Sequence, residues 1–182
     1  FYHMPTDRAG AVAAIIVLCS GAGMVLCGIL SDRLCRQRPD RKISLAIAYC
    51  LGSCLLLSIA FALPFGTPQL VLICLGMLIA AGTSGPAGAM VANLTHYKVH
   101  GTAFATLTLA NNLLGLAPGP FITGRVSDII GLDAAFQLVP LISIGSAAVF
   151  FYAKRHYHND MAALKSTSVD ETAVEALTEV QP

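Results

Sequence analysis

The sequence predicts an all-α fold, a bundle of membrane-spanning helices, on three observations. Hydrophobic residues fill 55% of the 182 positions and charged residues only 12%, against roughly 25% charged in an ordinary soluble domain. Uncharged stretches recur that are long enough to cross about 30 Å of hydrocarbon. The two-residue alternation that a membrane β-barrel needs is missing. In lipid every backbone N–H and C=O has to be bonded within the chain, so these stretches read as helices.

The first span covers residues 9–30 and ends in a charged loop carrying Asp32, Arg33, Arg36, Arg38, Asp40, Arg41 and Lys42. A second span covers 43–63, and Pro64, Phe65, Gly66, Thr67 and Pro68 make a tight reversal, because proline fixes φ and glycine relieves steric limits there. The third span runs over 69–94, and a polar connection, 95–101, precedes a fourth span over 102–124. Residues 125–133 form the next loop. The fifth span, 134–153, stops at Lys154, Arg155 and His156. In the remaining tail Ser168 and Glu171 have capping-box spacing, with Val169, Ala173, Leu177 and Val180 on one helical face. Low apolar content and the lack of a partner surface make disorder the expectation for that tail. The chain thus divides into a five-span transmembrane part, 1–156, and a polar cytoplasmic tail, 157–182.

With alternating spans, Arg33, Arg36, Arg38, Arg41, Lys42, Lys98, Lys154, Arg155 and Lys165 share one side, leaving Arg8 and Arg125 on the other. The first side is therefore the cytoplasmic one. Asp7 and Arg8 precede the first apolar run, and no cleavage site of a secretory signal follows. An odd span count places the first residue, Phe1, outside and the tail inside, which sets the expectation of at least one preceding helix. Net charge is +1, so electrostatic attraction offers no reason to expect a nucleic-acid partner.

One pattern occurs twice. Gly23, Gly28, Ser31 and Asp32 close the first span, and Gly119, Gly124, Ser127 and Asp128 close the fourth at the same spacing, 96 positions later. That offset corresponds to about three membrane helices with their connections. Three reversals put the copies at opposite faces of the bilayer, the trace of an inverted-topology repeat in a secondary transporter. Asp32 is expected at the cytoplasmic face and Asp128 at the outer one.

Gly28, Asp32, Arg33 and Arg36 resemble the Gly-x-x-x-Asp-Arg-x-Gly-Arg-Arg loop signature of the major facilitator superfamily, with Cys35 in place of the later glycine and Gln37 in place of a basic residue. The weaker copy of that signature follows the eighth of twelve helices. The resemblance therefore implies helices eight to twelve, a partial C-terminal half of a twelve-helix fold in which the eighth and eleventh helices are inverted counterparts. It further implies alternating-access transport of a small organic solute, with the cytoplasmic motif latching one state. Asn111, Asn112, Gly115, Pro118, Gly119, Pro120, Gly124, Ser127 and Asp128 look like the eleventh helix of Spinster-like or anion/cation-symporter branches. That likeness brings in an organic anion as substrate and a proton or cation as coupling ion, by symport or antiport. No cofactor or metal is implied, and the location implied is a cytoplasmic (inner) or plasma membrane.

The physical reading of the motif is that Gly28 allows close backbone approach while Asp32 faces the positive end of a neighbouring helix. Arg33 and Arg36 then pair with acids or lipid phosphates. The plainer reading makes Arg33, Arg36, Arg38, Arg41 and Lys42 topology anchors alone. Substrate-path candidates are Thr83 and Ser84, beside Gly85, Pro86 and Gly88 in the middle of the third span, and Asn111 and Asn112, with Thr106 and Thr108 nearby. An unpaired amide in hydrocarbon is costly, so these groups should face protein or water. The second and fifth spans, poor in polar groups, read as peripheral and lipid-facing. No Asp, Glu, Lys or Arg lies deep in any span, so proton coupling through a buried acid finds no support here.

Two other classes of protein share features with this sequence. Gly82, Thr83, Ser84 and Gly85 also resemble the Gly-x-Ser-Gly of rhomboid intramembrane proteases, whose serine needs a histidine base. His96 and His100 follow on the same span roughly 18 and 24 Å further along its axis, out of reach of Ser84, so no enzyme is expected. A non-transporting structural membrane subunit is the other alternative. Of six cysteines only Cys35 falls in a loop, and their spacing suggests neither a zinc site nor a disulfide framework. His156 and His158 alone make a poor metal signal.

Overall fold

Helices form wherever the sequence is apolar, since only intrahelical hydrogen bonds can satisfy the backbone there. The computed structural model describes residues 6–36, 40–64 and 66–179. In chain order these hold α1 (Thr6–Leu34), α2 (Asp40–Ala62), α3 (Thr67–Ala81), α4 (Ser84–Leu94), α5 (His100–Ala110), α6 (Pro118–Ile130), α7 (Leu132–Leu138) and α8 (Ile142–Glu179). Short 3-10 turns, Tyr97–Val99 and Val139–Leu141, lead into α5 and α8, and a π-helical turn, Asn111–Leu116, joins α5 to α6. No strand occurs among the described residues.

Four helices among the described residues are long and apolar enough to cross a membrane: Arg8–Leu34, Arg41–Ala62, Thr67–Leu94 and Leu132–Tyr157. The stretch expected as a fourth span, 102–124, is helical but does not form one regular helix. Pro118 and Pro120 have no N–H to offer the carbonyls of Leu114 and Leu116, so the ladder cannot run unbroken. Just before them Ala117 donates its N–H to the Asn112 carbonyl, a five-residue step, at 2.9 Å.

The bundle is ordered by packing rather than by chain sequence. α1 packs on α3, α3 on α2, and α2 on α8, while α4 touches α1, α2, α5 and α8. α2 is the interior helix: Ile43, Ala46, Tyr49, Cys50, Ser53, Cys54, Leu57 and Ala60 are all buried. This corrects the expectation of a peripheral second span. Between helices in lipid, apolar side chains give no preference for the inside, and small residues at three- and four-residue spacing mark the packed face. Gly76 of α3 meets the Leu57 side chain so closely that a methyl group there would lie 2.7 Å from it. Large apolar side chains elsewhere, Leu18, Val25, Leu114, Phe121 and Ile129 among them, are exposed, as the surface of a lipid-embedded bundle should be.

α3 starts as the sequence suggests, with extended Gly66 ahead of it and proline in its first turn; Phe65 of that reversal lies outside the described residues, as do Gln37 and Arg38 of the charged loop. The chain turns from α6 into α7 at a single residue, Gly131, whose φ of 86° and ψ of 154° belong to a region that only glycine enters readily. The tail also departs from expectation, since α8 continues through it to Glu179 instead of ending near residue 153. Residues 154–179 contain no glycine or proline and many strong helix formers (Ala, Leu, Lys, Glu), so nothing local terminates the helix. Ser168 consequently lies inside α8 and begins no helix of its own.

Candidate functional site

The first copy of the repeated ending lies in a close helix crossing. Gly23, Cys27 and Ser31 of α1, with Cys35 in the turn just after it, lie four residues apart and form a buried stripe. At Gly23 the main chain of Leu78 leaves no room for a Cβ, and at Gly82 a Cβ would lie 2.6 Å from that of Cys27. Further along, Gly85 approaches the Cα of Gly28, with 3.6 Å left for an added Cβ. Gly28 itself has open space where a side chain would go. Close approach therefore depends on Gly23 and Gly82 more than on Gly28. A side-chain network links three helices here. The Cys27 thiol lies 4.0 Å from the Leu78 carbonyl, and the buried Tyr49 hydroxyl of α2 donates to the Cys27 carbonyl at 3.2 Å.

At the end of this stripe Lys42 Nζ donates to Asp32 Oδ1 at 2.7 Å. Asp32 is 73% exposed and Lys42 25%. The aspartate thus engages a side chain in the first turn of α2, close to that helix's positive end. Arg33 and Arg36 are exposed.

The second copy has a different setting. Gly119 and Gly124 have nothing within 4 Å of where a Cβ would lie, and Asp128 is exposed. Ser127 serves the next turn, its carbonyl accepting the Gly131 N–H at 2.9 Å. Asn111 and Asn112 open the π turn and are exposed, with Asn112 supplying the carbonyl of the five-residue step. Such turns mark functional sites often. Thr106 and Thr108 donate to the carbonyls of Thr102 and Phe104 on their own helix at 2.9 Å each, so these hydroxyls are satisfied locally. The sequence signal for the π turn is the pair of prolines flanking Gly119.

Thr83 and Ser84 sit at the join of α3 and α4. There Gly82 and Thr83 donate to the carbonyls of Ile79 and Ala80, a tight three-residue step that precedes buried Pro86. Thr83 Oγ1 also donates to the Ala80 carbonyl at 2.8 Å, while Ser84 is exposed. His96 Nδ1 accepts the Lys98 N–H at 3.4 Å, and His100 Nε2 lies 3.0 Å from the Thr95 carbonyl. Both imidazoles are engaged beyond the far end of α4, about 16 Å of helix away from Ser84. No group of three or more metal-ligating side chains occurs among the described residues.

Two tertiary ties went unnoticed in the sequence. Asn93 Nδ2 donates to the Tyr157 hydroxyl at 3.1 Å, fastening α4 to α8. Phe61 stacks on Phe136 with ring centroids 5.4 Å apart, and Gln137 donates to the Phe61 carbonyl at 3.5 Å, fastening α2 to α7. Both pairs are too far apart in sequence for spacing to suggest them. Between α4, α5 and α8 an open cleft of about 540 Å³ is lined by Met90, Val91, Leu94, Thr106, Leu107 and Phe150 among others. Its walls are almost wholly apolar.

Long apolar helices, small residues at their closest crossing and charges collected at the helix ends define a polytopic membrane protein. The sequence matches the Major Facilitator Superfamily over residues 2–179, and the chain belongs to that superfamily of membrane transporters. No curated protein and no solved structure matches it.

Proposed function

We propose that the chain supplies helices eight to twelve of a secondary transporter that moves a small organic solute, of organic-anion type, by alternating access. The membrane is the cytoplasmic (inner) or plasma membrane, with residues 157–182 on the cytoplasmic side. α1 stands for helix eight, α2 for nine, α3 with α4 for ten, α5 with α6 for eleven, and α7 with α8 for twelve. The observation that carries this reading is the doubled ending. Its first copy resembles the superfamily's cytoplasmic loop signature, and its second lies three apolar stretches later on an exposed helix. Gly28, Asp32, Arg33 and Arg36 form the cytoplasmic gate, and Lys42 is the partner that Asp32 releases when the bundle rocks. Gly119, Gly124, Ser127 and Asp128 form its counterpart at the outer face. Thr83, Ser84, Asn111 and Asn112 face the solute path, since a broken ladder frees carbonyls where proline withholds an N–H.

The deciding experiment places Asp32→Cys and Asp128→Cys separately in a background without the six native cysteines. The full protein is then labelled in sealed cells with a membrane-impermeant thiol reagent. Position 128 is expected to react from outside and position 32 only after the cytoplasmic face is opened. Labelling of both from one side would falsify the inverted arrangement.

A further inference from the structure

We propose that Tyr49 and Ser31 are alternative donors to one acceptor, the Cys27 carbonyl, so that the contact between α1 and α2 has two settings. Several hydroxyls in this bundle turn back onto their own helix. Ser20, Thr95, Thr106, Thr108 and Ser146 each donate to the carbonyl four residues back, at distances from 2.6 to 3.4 Å, and Ser53 and Thr83 donate three residues back. Ser31 does neither. The residue is 2% exposed, and its Oγ is a buried side-chain oxygen without a hydrogen-bond partner among the described residues.

The reason lies four residues back. The carbonyl that Ser31 would use is that of Cys27, and Tyr49 Oη donates to it at 3.2 Å. The helix ladder already directs the Ser31 N–H to the same oxygen by its regular four-residue step. A carbonyl has two lone pairs. The ladder and the tyrosine take both, and the serine hydroxyl is left over.

A buried hydroxyl without a partner carries a desolvation cost, and withdrawal of Tyr49 removes it. Once the phenol leaves, Ser31 rotates about χ1 and donates to Cys27 as the other hydroxyls do to their own acceptors. The helix pair therefore exchanges an interhelical bond for an intrahelical one without stranding the carbonyl. The two helices meet only lightly, α1 packing mainly on α3 and α2 on α3 and α8, so the exchange does not require the α1–α3 crossing to open. Under the alternating-access reading, on which its use in transport rests, this makes separation of α1 from α2 cheaper than loss of a hydrogen bond. The exchange itself does not depend on that reading.

A double-mutant cycle tests the exchange in the purified full protein, with unfolding in detergent as the readout. Ser31→Ala alone leaves stability unchanged or raises it, since it deletes an unpartnered hydroxyl. Tyr49→Phe in the Ser31→Ala background shifts the unfolding equilibrium about threefold, the size of an average interhelical side-chain hydrogen bond in a membrane. In the wild-type background the shift is smaller, because Ser31 takes over the carbonyl. Equal effects of Tyr49→Phe in the two backgrounds would overturn the exchange. Should Ser31→Ala prevent purification, Ser31→Gly closes the same cycle, with equal effects again counting against it. Transport by wild-type protein is measured separately: its absence removes the alternating-access reading and leaves the cycle's result standing.

Discussion

Gly23 lies against the main chain of Leu78, so even a methyl group has to displace backbone and not a flexible side chain. Gly23→Ala is expected to destabilise the protein by about 1–3 kcal/mol, the usual cost of overpacking. Gly124→Ala, with open space around it, should instead be neutral or stabilising by about 0.5–1 kcal/mol through helix propensity alone. Thermal unfolding in detergent decides between the signs, and a neutral Gly23→Ala would mean that the crossing does not hold in the membrane. The Asp32–Lys42 pair is short but Asp32 is largely solvated, so its stability contribution belongs at the low end, about 0.2–1 kcal/mol. Asp32→Asn should therefore shift a two-state equilibrium by no more than about fivefold. A cysteine-accessibility ratio that moves by orders of magnitude would show a role beyond the ion pair. Of the buried stripe, Gly23 and Ser31 belong to the repeated ending that spacing picks out, whereas Cys27 and Cys35 do not, and Gly28 of that ending has open space instead. The partners of the stripe were not legible, because Leu78 and Gly82 lie on a helix some fifty residues later, and nothing local encodes which helix a small-residue stripe meets.

Among the elements, α2 gives the clearest lesson about reading a membrane sequence. Its scarcity of polar groups suggested a lipid-facing helix, yet it is the most enclosed one. The informative signal was the recurrence of Ala46, Cys50, Ser53, Cys54 and Ala60, small residues that let neighbours approach. That finding also decides the control for the solute-path residues. Ser58 is half-buried on α2, so Ser58→Leu risks disturbing the core, whereas Ser146 on α8 is exposed. Asn111→Leu or Asn112→Leu is expected to lower transport per molecule in the membrane several-fold more than Ser146→Leu. Equal activity in the three variants, normalised to abundance, would remove the π turn from the path. The helical stretch expected at 102–124 runs from 100 to 130 and is broken into pieces, because its register shift depends on where the proline-orphaned carbonyls find donors. The tail's helicity was missed for a simpler reason: lack of a hydrophobic partner was weighed above the absence of any helix breaker.

At the scale of the whole molecule, the proposed helix numbering places the solute path between this bundle and a second one. Vesicles holding only this chain should then show no uptake above empty vesicles, and uptake by them would refute that placement. The packing order of the bundle has a further consequence, for its biosynthesis. α1 leaves the ribosome before α3, the helix it packs on, and α2 touches it only lightly. Until residue 82 has emerged, the grooves at Gly23 and Cys27 lack the segment that fills them, so α1 waits in the bilayer for α3. At that stage α1 and α2 are loosely associated and await a keystone. A nascent chain arrested shortly after Ala62 should remain exposed to membrane chaperones and proteases, and one arrested beyond Leu94 should be protected.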